Sequence, residues 1–370
     1  MKKKILLFGP MLNKVEGAYG GGDGGYTRKM NLYLHHFQSE EFEFVPCYHT
    51  VAGHGGASSL VIRFLKDITN FIKQVIFNKP DIVHILAQYR KASPREFGIV
   101  LLSNLFNVPV VYEIKAGVFH NWYPQATSLF RYMLRYCIQK SKIVLCQGMP
   151  YVDLIQNEMQ VQAVYFPNFV PAEEIPQNVP VKLSAPELRV LFVGYAFADK
   201  GVFELVEGCN IAAIHTSVVL TLIGKEHPDF ATWLDQFPTN EKFKINRMGR
   251  QSHDVALSHY RTNDIYCYPT RHIGEGHNNS INEAMMYGMV IVTTRQGFME
   301  SVLGDTGYFI DSVSSEDIAM TLIRITDHRE EAKQKSLQTR KRLMENFTDN
   351  IAFNKLHEAY RKCLRMSAIS

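Results

Sequence analysis

Two successive series of short apolar runs constrain the fold of this chain more than any other feature of its sequence. The first series comprises 4–8, 42–48, 81–86, 108–114, 143–146 and 163–166, and the second comprises 188–193, 218–223, 243–245, 265–268, 290–293 and 308–310. Each run is continuous rather than alternating, as expected for strands that helices cover on both faces. Helical patterns separate the runs. The sequence therefore predicts an α/β fold with two doubly wound, Rossmann-like parallel sheets.

The chain length and a break in this pattern indicate two domains. A chain of 370 residues is long enough for two domains of ordinary size. A proline-rich polar stretch at 167–186 separates the two series. We assign the N-terminal domain to 1–170 and the second domain to 188–345. Because ligands of doubly wound sheets bind at the carboxyl ends of the strands, we expect a site in the cleft between the domains.

The composition argues against several other classes of protein. The net charge of +4 is too small to indicate nucleic-acid binding. The six cysteines are scattered without a Cys-x-x-Cys pair, so neither a zinc site nor a disulfide framework is predicted. No apolar run approaches the roughly 20 residues of a membrane-spanning helix. Gly9 and Pro10 interrupt the basic and apolar start of the chain, which favours a first strand over a signal peptide and predicts a cytoplasmic protein.

The segment GEGHNNSINEA, at 274–284, combines two glutamates with the signature of a helix start. Asn278, Asn279 and Ser280 are favoured N-cap residues, so we expect free backbone amides here that suit a phosphate. Glu275 precedes this start and Glu283 lies about one turn inside it, where each carboxylate can accept hydrogen bonds from hydroxyls. A diphosphate flanked by hydroxyls is the chemistry of a nucleotide sugar. A ligand-free capping arrangement, with Glu283 near the positive end of the helix dipole, explains the same residues equally well.

Two further segments contain residues that suit phosphate chemistry. In FVGYAFADKG, at 192–201, a strand ends and Lys200 opens the next helix, where it can direct its charge at a phosphate. A solvated lysine is the simpler alternative for Lys200 taken alone. The glycine cluster at 17–28 contains a Gly-x-Gly-x-x-Gly spacing that starts at Gly20, but about eleven residues separate this motif from the strand before it, too many for a dinucleotide fingerprint. We expect Gly21 and Gly22 in a loop that faces the cleft, with a merely flexible loop as the alternative.

Taken together, these segments resemble the retaining glycosyltransferases of the GT4 family, which have the GT-B fold. The resemblance is strongest across 188–311 and extends over nearly the whole chain. RVLFVGYAFADKG is similar to the phosphate segment of the family, and EGHNNSINEAMMYGMVIVTT is similar to its Glu-x7-Glu block. GFMESVLGDTGYFID is similar to the segment that follows and carries a further acid, Glu300. In the N-terminal half, PDIVHIL, PVVYEIKAG and FPNFV match more loosely.

The resemblance implies a role for each matching position. Glu275 would hold hydroxyls of the donor sugar, and Glu283 would accept hydrogen bonds from the ribose hydroxyls. Lys200 would stabilise the departing diphosphate. The strand end at Gly249 and Arg250 would contact the base. The backbone amides that would bind sugar and phosphate belong to His277, Asn278, Asn279 and Ser280.

The chain departs from the family pattern at two positions. Tyr195 stands where the family often has an arginine. The arginines that could compensate for this loss are Arg250, Arg271 and Arg295. Lys115 stands where a histidine is expected in the N-terminal domain, and His120, five residues further on, could reach into the site instead. The fold and the class of donor are expected to survive both departures.

The resemblance implies a retaining transferase that moves a sugar from a UDP- or GDP-sugar. Its acceptor would be a glycan or a polyprenyl-linked glycan of bacterial surface polysaccharide synthesis. The charge that develops on the diphosphate calls for fixed positive groups, and the sequence contains no Asp-x-Asp motif. We therefore predict that Lys200 and the helix dipole act without a metal or another cofactor.

Three alternatives to transfer stay open at this point. The first is a sugar-nucleotide epimerase or hydrolase with the same fold. The second is a nicotinamide-dependent oxidoreductase, which the position of the glycine motif disfavours. The third is a catalytically silent protein that binds sugar nucleotides, which the substitutions at Tyr195 and Lys115 keep in consideration.

Two expectations concern the periphery of the molecule. From 114 to 152 the sequence contains basic residues but no acidic one. Its helical pattern, SLFRYMLRYCIQKSK, places an apolar arc beside a rim containing Arg131 and Arg135. An ordinary surface helix is one reading, and a rim that contacts anionic lipid at the inner face of the cytoplasmic membrane is the other. The likeness to two-domain transferases also implies that 346–370 form a helix that crosses back to the N-terminal domain.

Overall fold

The structure, a computed structural model, describes residues 1–10, 25–49, 57–115 and 117–369. These residues form two compact units. Unit 1 contains the described residues up to Pro167 together with the end of the chain from Asp349, and unit 2 runs from Asn168 to Thr348. In the described part of the chain, each unit is built on one six-stranded sheet.

The strands of each sheet are parallel and follow a doubly wound order. The sheet of unit 1 has the order β2-β1-β3-β4-β5-β6, and that of unit 2 has the order β12-β11-β10-β7-β8-β9. The strands are β1 (Lys3–Pro10), β2 (Phe42–His49), β3 (Ile82–Ala87), β4 (Val110–Ile114), β5 (Ile143–Cys146), β6 (Ala163–Tyr165), β7 (Leu188–Val193), β8 (Val218–Ile223), β9 (Phe243–Gly249), β10 (Ile265–Tyr268), β11 (Val290–Thr293) and β12 (Tyr308–Phe309).

Helices connect the strands and cover the sheets. They are α1 (Gly25–His36), α2 (Ala57–Asn78), α3 (Ser93–Leu105), α4 (Phe119–Gln125), α5 (Ser128–Lys140), α6 (Met149–Met159), α7 (Val202–Ala212), α8 (Pro228–Asp235), α9 (His253–Thr262), α10 (Asn279–Met286), α11 (Met299–Leu303), α12 (Ser315–Asp327), α13 (Arg329–Asn346) and α14 (Asp349–Ile369).

The apolar runs of the sequence become the strands of the two sheets. Central strands such as β3, β4 and β5 are buried along their whole length, because helices cover both of their faces. Most residues of the edge strand β9 are at least partly exposed to solvent. The predicted α/β fold with two doubly wound parallel sheets is therefore confirmed. The predicted glycine loop with Gly21 and Gly22 lies outside the described residues.

The proline-rich stretch between the two series is anchored to unit 2. Lys182 is buried, and its ammonium group donates to the carbonyl oxygens of Tyr260, Arg261 and Asn263 at 2.7–2.9 Å. These carbonyls lie at the C-terminus of α9, where a positive charge is favourable. Burial lowers the pKa of Lys182 to about 8, with Asp264 opposing the shift.

A polar network inside unit 1 surrounds the buried carboxylate of Glu113 on β4. Lys29 Nζ lies 3.4 Å from Glu113 Oε1, and His84 Nε2 lies 3.2 Å from Oε2. The Tyr33 hydroxyl donates to Oε2 at 2.5 Å, and His84 Nδ1 lies 2.7 Å from the Tyr360 hydroxyl. Burial would raise the pKa of Glu113, but Lys29 and His84 outweigh it and lower that pKa to about 2.

The last helix, α14, completes the core of unit 1. The Tyr360 ring packs edge-on against Phe42, Phe44 and His84, with centroid distances of 5.3–6.2 Å. Other large side chains of α14 that are buried include Phe353 and Leu356. Phe347, just before the helix, is also buried but belongs to unit 2.

We expect Glu113 to make the stability of the protein sensitive to acid. Its pKa of about 2 in the folded protein lies below the value of about 4.3 for an unfolded chain. Its stabilising contribution is therefore complete above pH ~4.3 and is lost as the pH falls toward ~2. Glu113→Gln should lower the free energy of unfolding by about 3–5 kcal/mol near pH 7, because Lys29 then keeps a buried charge without this carboxylate.

Urea unfolding between pH 7 and 3 measures both effects. Glu113→Gln should lose less stability than the unmodified protein as the pH falls through this range. Glu345→Gln is the control, since Glu345 is exposed and lies 3.7 Å from the exposed Lys341. Identical acid dependence of Glu113→Gln and the unmodified protein would contradict the role given to Glu113.

Candidate functional site

The carboxyl edge of the second sheet contains a topological switch point. The chain adds β8 and β9 on one side of β7, then returns to add β10, β11 and β12 on the other. Loops that follow two such strands diverge to opposite faces of the sheet and leave a crevice, where doubly wound proteins bind their ligands. The loop after β7 leads to Lys200, and the loop after β10 leads to Glu275.

Gly201 allows these two loops to approach each other closely. It follows a short 3-10 turn, Ala198–Lys200, and has a φ of 68°, in the left-handed region that favours glycine. A Cβ at this position would lie 2.1 Å from the backbone oxygen of Pro269 and 2.8 Å from Val313. Only glycine fits here without moving the loop after β10.

This approach brings Lys200 and Glu275 together as a largely buried ion pair. The Lys200 ammonium group donates to Glu275 Oε1, and the Tyr268 hydroxyl donates to the same oxygen at 2.9 Å. The two charged side chains expose 13% and 7% of their surface. Burial lowers the pKa of Lys200 to about 8, while the neighbouring Asp199 favours its charged form. The two residues predicted as catalytic are therefore neighbours, and Tyr268 is a partner that the sequence analysis missed.

The helix predicted after the loop begins where expected. Asn278 is the N-cap residue of α10, and its side-chain oxygen accepts from the backbone N–H of Ser280 at 3.0 Å and from its hydroxyl at 2.8 Å. Asn279 is the first residue of the helix. The start of α10 thus lies in the chain segment that carries Glu275. The amides of its first turn and the positive end of its dipole suit an anion.

His277 is fixed inside unit 2. Its Nδ1 accepts from the backbone N–H of Asn168 at 3.2 Å, so its Nε2, 2.7 Å from the Asn282 side-chain oxygen, is the protonated nitrogen of a neutral ring. The Asn168 side chain also donates to the His277 carbonyl at 2.6 Å, and the ring packs edge-on against Phe347. His277 therefore orients the loop before α10. Its partners Asn168 and Asn282 had no recognisable signal in the sequence.

Glu283 lies inside α10, one turn after Asn279, and is completely buried. Coulombic interaction with Glu283 helps to raise the pKa of Tyr287 after burial, the main cause. The predicted contact with ribose hydroxyls requires a donor to reach this buried carboxylate. Lys200, in contrast, keeps some exposure to solvent. Its contact with a donor is thus still a prediction.

The carboxyl ends of β7, β8 and β9 lie side by side. The N–H of Gly224 donates to the carbonyl of Gly249 at 2.8 Å, and the N–H of Gly194 donates to that of Ile223 at 2.9 Å. Gly224 has a φ of 135°, and a Cβ there would lie 1.9 Å from the oxygen of Gly194. Gly249 is the last residue of β9, two positions from β7 in the sheet, and the exposed Arg250 follows it; both are predicted to contact the base.

Tyr195 lies at the carboxyl end of β7 with its ring partly exposed. The ring centroid is 5.2 Å from that of Phe197 and 6.3 Å from that of His227. Lys225, which follows β8, has its ammonium group 5.9 Å from the Tyr195 ring centroid. The sequence analysis missed Lys225, although this lysine directly follows a strand and a glycine.

Two arginines considered as substitutes for the family's arginine already have carboxylate partners. Arg271 pairs with Glu204 at 2.7 Å. Arg295 pairs with Glu300, the further acid of the resemblance, and both side chains are exposed. Lys225 is therefore better placed than Arg271 or Arg295 to supply a second positive charge beside Tyr195.

The N-terminal candidates lie in unit 1. Lys115 follows β4, is buried, and donates to the carbonyl of Gly25. Burial lowers the pKa of Lys115 well below its usual value, and the Lys29 charge adds to the shift. His120 lies in α4 with its ring 5.6 Å from that of Tyr151, and burial lowers its pKa. Gly21 and Gly22 belong to the residues that the structure does not describe.

Two features are absent from the described residues, 1–10, 25–49, 57–115 and 117–369. In these ranges no cluster of three or more His, Cys, Asp or Glu side chains is arranged to hold a metal ion. Within the same ranges, no helix combines the length and apolar character needed to cross a bilayer.

Comparison with known proteins connects this site to a family. Residues 187–328 match the family described as "Glycosyl transferases group 1". This segment spans the strands and loops that carry Tyr195, Lys200, Lys225, Glu275 and Glu283. Residues 187–328 are thus similar to a group 1 glycosyltransferase domain, and the chain is an enzyme of the glycosyltransferase class. A search of curated proteins found no match.

Solved structures share the fold of the whole chain. A sucrose-phosphate synthase from Thermosynechococcus elongatus has a TM-score of 0.73 at 15% identity, with 100% of each chain covered. Alr3699/HepE of Anabaena, in complex with UDP and glucose, has a TM-score of 0.66 at 14% identity, covering 96% of this chain and 99% of that one. An α,α-trehalose-phosphate synthase from Burkholderia xenovorans, in complex with glucose-6-phosphate, has a TM-score of 0.67 at 12% identity, covering 97% and 100%. These likenesses identify the two-domain GT-B fold.

We expect two glycine substitutions to separate steric conflict from backbone strain. Gly201 and Gly249 have similar φ angles, 68° and 62°. A Cβ would collide with the Pro269 backbone at Gly201 but meets nothing within 4 Å at Gly249. Gly249→Ala should cost about 1 kcal/mol, the strain of a left-handed alanine. Gly201→Ala should cost at least about 3 kcal/mol because a loop must also move. Urea unfolding of both variants tests this, and equal losses would contradict the close approach.

Proposed function

We propose that this glycosyltransferase moves a sugar from a nucleoside-diphosphate sugar, with retention at the anomeric carbon, to a glycan or lipid-linked glycan of bacterial surface polysaccharide synthesis. The observation that carries the proposal is the buried Lys200–Glu275 pair at the switch point of the second sheet. It combines a cation for a diphosphate with a carboxylate for sugar hydroxyls. Retention and the acceptor class rest on the resemblance to GT4 enzymes.

The proposed donor site uses positive charge where the reaction creates negative charge. As the bond between the anomeric carbon and the diphosphate breaks, its electron pair passes to the departing oxygen. Lys200 and the backbone amides at the start of α10 stabilise that charge, which is larger in the transition state than in the bound donor. The acceptor oxygen forms the new bond to the anomeric carbon, and its proton passes to the departing diphosphate. This arrangement supports a reaction that requires no metal.

Glu275 has two consecutive roles in this proposal. Before the donor binds, it neutralises Lys200, whose charge would otherwise be buried at a cost in free energy. When the diphosphate provides a second anion for Lys200, the carboxylate of Glu275 accepts hydrogen bonds from sugar hydroxyls. The Tyr268 hydroxyl keeps the carboxylate oriented through both stages. The buried ion pair thus becomes part of a ligand-binding site, and the net charge of the protein does not change.

Lys225 compensates for Tyr195 in this proposal. The family's phosphate segment often has an arginine at this position, and the exposed Lys225 ammonium group lies beside the tyrosine ring. It supplies a diffuse positive field at the carboxyl end of β8. Gly249 and Arg250, at the carboxyl end of β9, lie further along the same edge and suit the nucleotide base. Lys115, His120, Gly21 and Gly22 are proposed to contribute to the acceptor site from the N-terminal domain.

Nucleotide binding is the first expected outcome. In thermal unfolding, UDP or GDP at about 100 times its Kd should add about 2.7 kcal/mol of stability, which raises the Tm of a domain of this size by several degrees. The matching nucleotide sugar should do the same, and a chelator should leave the shift unchanged. A chain whose Tm responds to no nucleotide or nucleotide sugar would contradict the proposal.

Product analysis separates transfer from the alternatives. Incubating the preferred donor with water alone should give little free sugar, while a glycan acceptor should give a product of retained configuration by NMR. Rapid release of sugar without acceptor would favour a hydrolase. A changed sugar on the nucleotide would favour an epimerase. Binding without turnover of any acceptor would favour the silent binding protein, for which the substitution at Tyr195 is the supporting observation.

Substitutions at the site should affect different steps. Lys200→Ala should lower kcat by about 100-fold or more with a small change in KM, because its partner charge grows in the transition state. Lys225→Ala should have a smaller effect, about tenfold. Glu283→Gln should weaken nucleotide binding. Lys242→Ala is the matched control. This exposed lysine directly precedes β9 and therefore lies at the amino ends of the strands, away from the site at their carboxyl ends. If Lys200→Ala and Lys242→Ala have equal kcat values, the site assignment is wrong.

A further inference from the structure

An apolar surface is exposed on three helices of unit 1. On α2, five large apolar residues expose 53–81% of their surface: Val61, Ile62, Leu65, Ile76 and Phe77. The exposed apolar residues of the other two helices are Leu101 and Leu105 on α3, with Phe106 directly after it, and Leu129 and Tyr132 on α5. Exposed apolar residues that stand singly are ordinary, but a group on adjoining helices indicates an interaction surface.

The three helices form one layer on the sheet of unit 1. Gly98 of α3 faces α2 so closely that a Cβ there would lie 3.1 Å from the Ile68 side chain. On the other side of α3, the Phe97 ring lies 4.8 Å from that of Tyr136 and 6.2 Å from that of Tyr132, both on α5. The outward sides of these helices, referred to below as the α2–α3–α5 surface, are therefore adjacent.

The charges on this surface have one sign. Among the described side chains of the three helices, the acidic residues are Asp67 and Glu96, and both are buried. Asp67 pairs with Arg95 at 3.3 Å, and Glu96 accepts a hydrogen bond from Tyr112 at 2.5 Å. The exposed charged residues are basic: Lys66, Lys73, Arg131, Arg135 and Lys140.

The arrangement along α2 is that of a helix lying at an interface. At about 100° per residue, the exposed apolar positions 61, 62, 65 and 76 share an arc of about 100°. Lys66 and Lys73 border this arc, while the buried Asp67 and Phe71 lie on the opposite side. A shallow depression runs along the same face. Its lining residues are Ile62, Leu65, Lys66, Thr69, Asn70 and Lys73.

We propose that the α2–α3–α5 surface docks onto an anionic lipid bilayer, with α2 lying in the plane of the interface. Apolar side chains of α2 and α3 enter the headgroup region, and the bordering lysines and arginines contact lipid phosphates. A second copy of the chain fits this surface less well, because a symmetric interface would place like charges opposite each other. The proposal adds the insertion of apolar side chains to the lipid contact predicted for the basic rim of α5. It does not depend on the transfer reaction.

The test uses the full chain and two vesicle compositions. Phosphatidylcholine vesicles and an equimolar mixture of phosphatidylcholine and phosphatidylglycerol are compared by co-sedimentation at low and high salt. We expect the protein to bind the mixed vesicles, and part of this binding should persist at high salt. The double variant Ile76→Ser, Phe77→Ser should bind these vesicles at least about tenfold more weakly, because it removes apolar surface from the interface. Lys66→Gln, Lys73→Gln should remove mainly the salt-sensitive part.

The control is a double variant of exposed apolar residues in unit 2, Ile214→Ser, Met320→Ser, which should bind like the unmodified protein. Thermal unfolding establishes that each variant is folded. All variants should bind UDP and GDP as the unmodified protein does, so a failure of docking is distinguishable from a failure of the proposed function. Equal binding by the α2 and unit 2 variants would overturn the proposal. A dimer in gel filtration that only the α2 variant abolishes would also overturn it, in favour of a second copy.

Discussion

The contact of two loops at Gly201 and Pro269 determines what unit 2 can present at its carboxyl edge. Without a Cβ, the chain after β7 passes directly against the backbone of the chain after β10. Lys200, one residue earlier, is thereby held against Glu275, to which the Tyr268 hydroxyl also donates. The start of α10 follows within the same loop. A cation, a carboxylate and the start of a helix are thus brought together by the absence of one side chain.

Residue patterns were sufficient to predict the strands and to select candidate site residues, but not the contacts among those candidates. Continuous apolar runs have few alternatives to buried parallel strands, so both sheets followed from periodicity. Asn278 was recognisable because N-capping depends on neighbouring residues alone. The pairing of Lys200 with Glu275 joins positions far apart in the chain, and it depends on the strand order that places β7 beside β10. Lys225 was missed because β8 was treated only as a structural strand.

The two units use buried charge in different ways. In unit 1, the protein supplies all the described partners of Glu113: a lysine, a histidine and a tyrosine hydroxyl. Such a closed network has a fixed charge distribution and defines which helices can pack on the sheet. In unit 2, Lys200 retains some exposure and lies at the end of the strands rather than in the middle of the sheet. The exchange of one anionic partner for another is therefore possible at Lys200 and unfavourable at Glu113.

The position of α14 in unit 1 has a consequence for synthesis of the chain. Unit 2 is continuous from Asn168 to Thr348, so all of these residues have been made before Asp349 is added. Unit 1 lacks the Tyr360 ring and its hydroxyl contact to His84 until the final helix leaves the ribosome. Because domains fold as units once their residues are available, the second sheet can reach its native packing while the first, made earlier, waits for its last element. The order of completion is then the reverse of the order of translation, and a chaperone that binds nascent chains would meet an unfinished N-terminal sheet until α14 has been made.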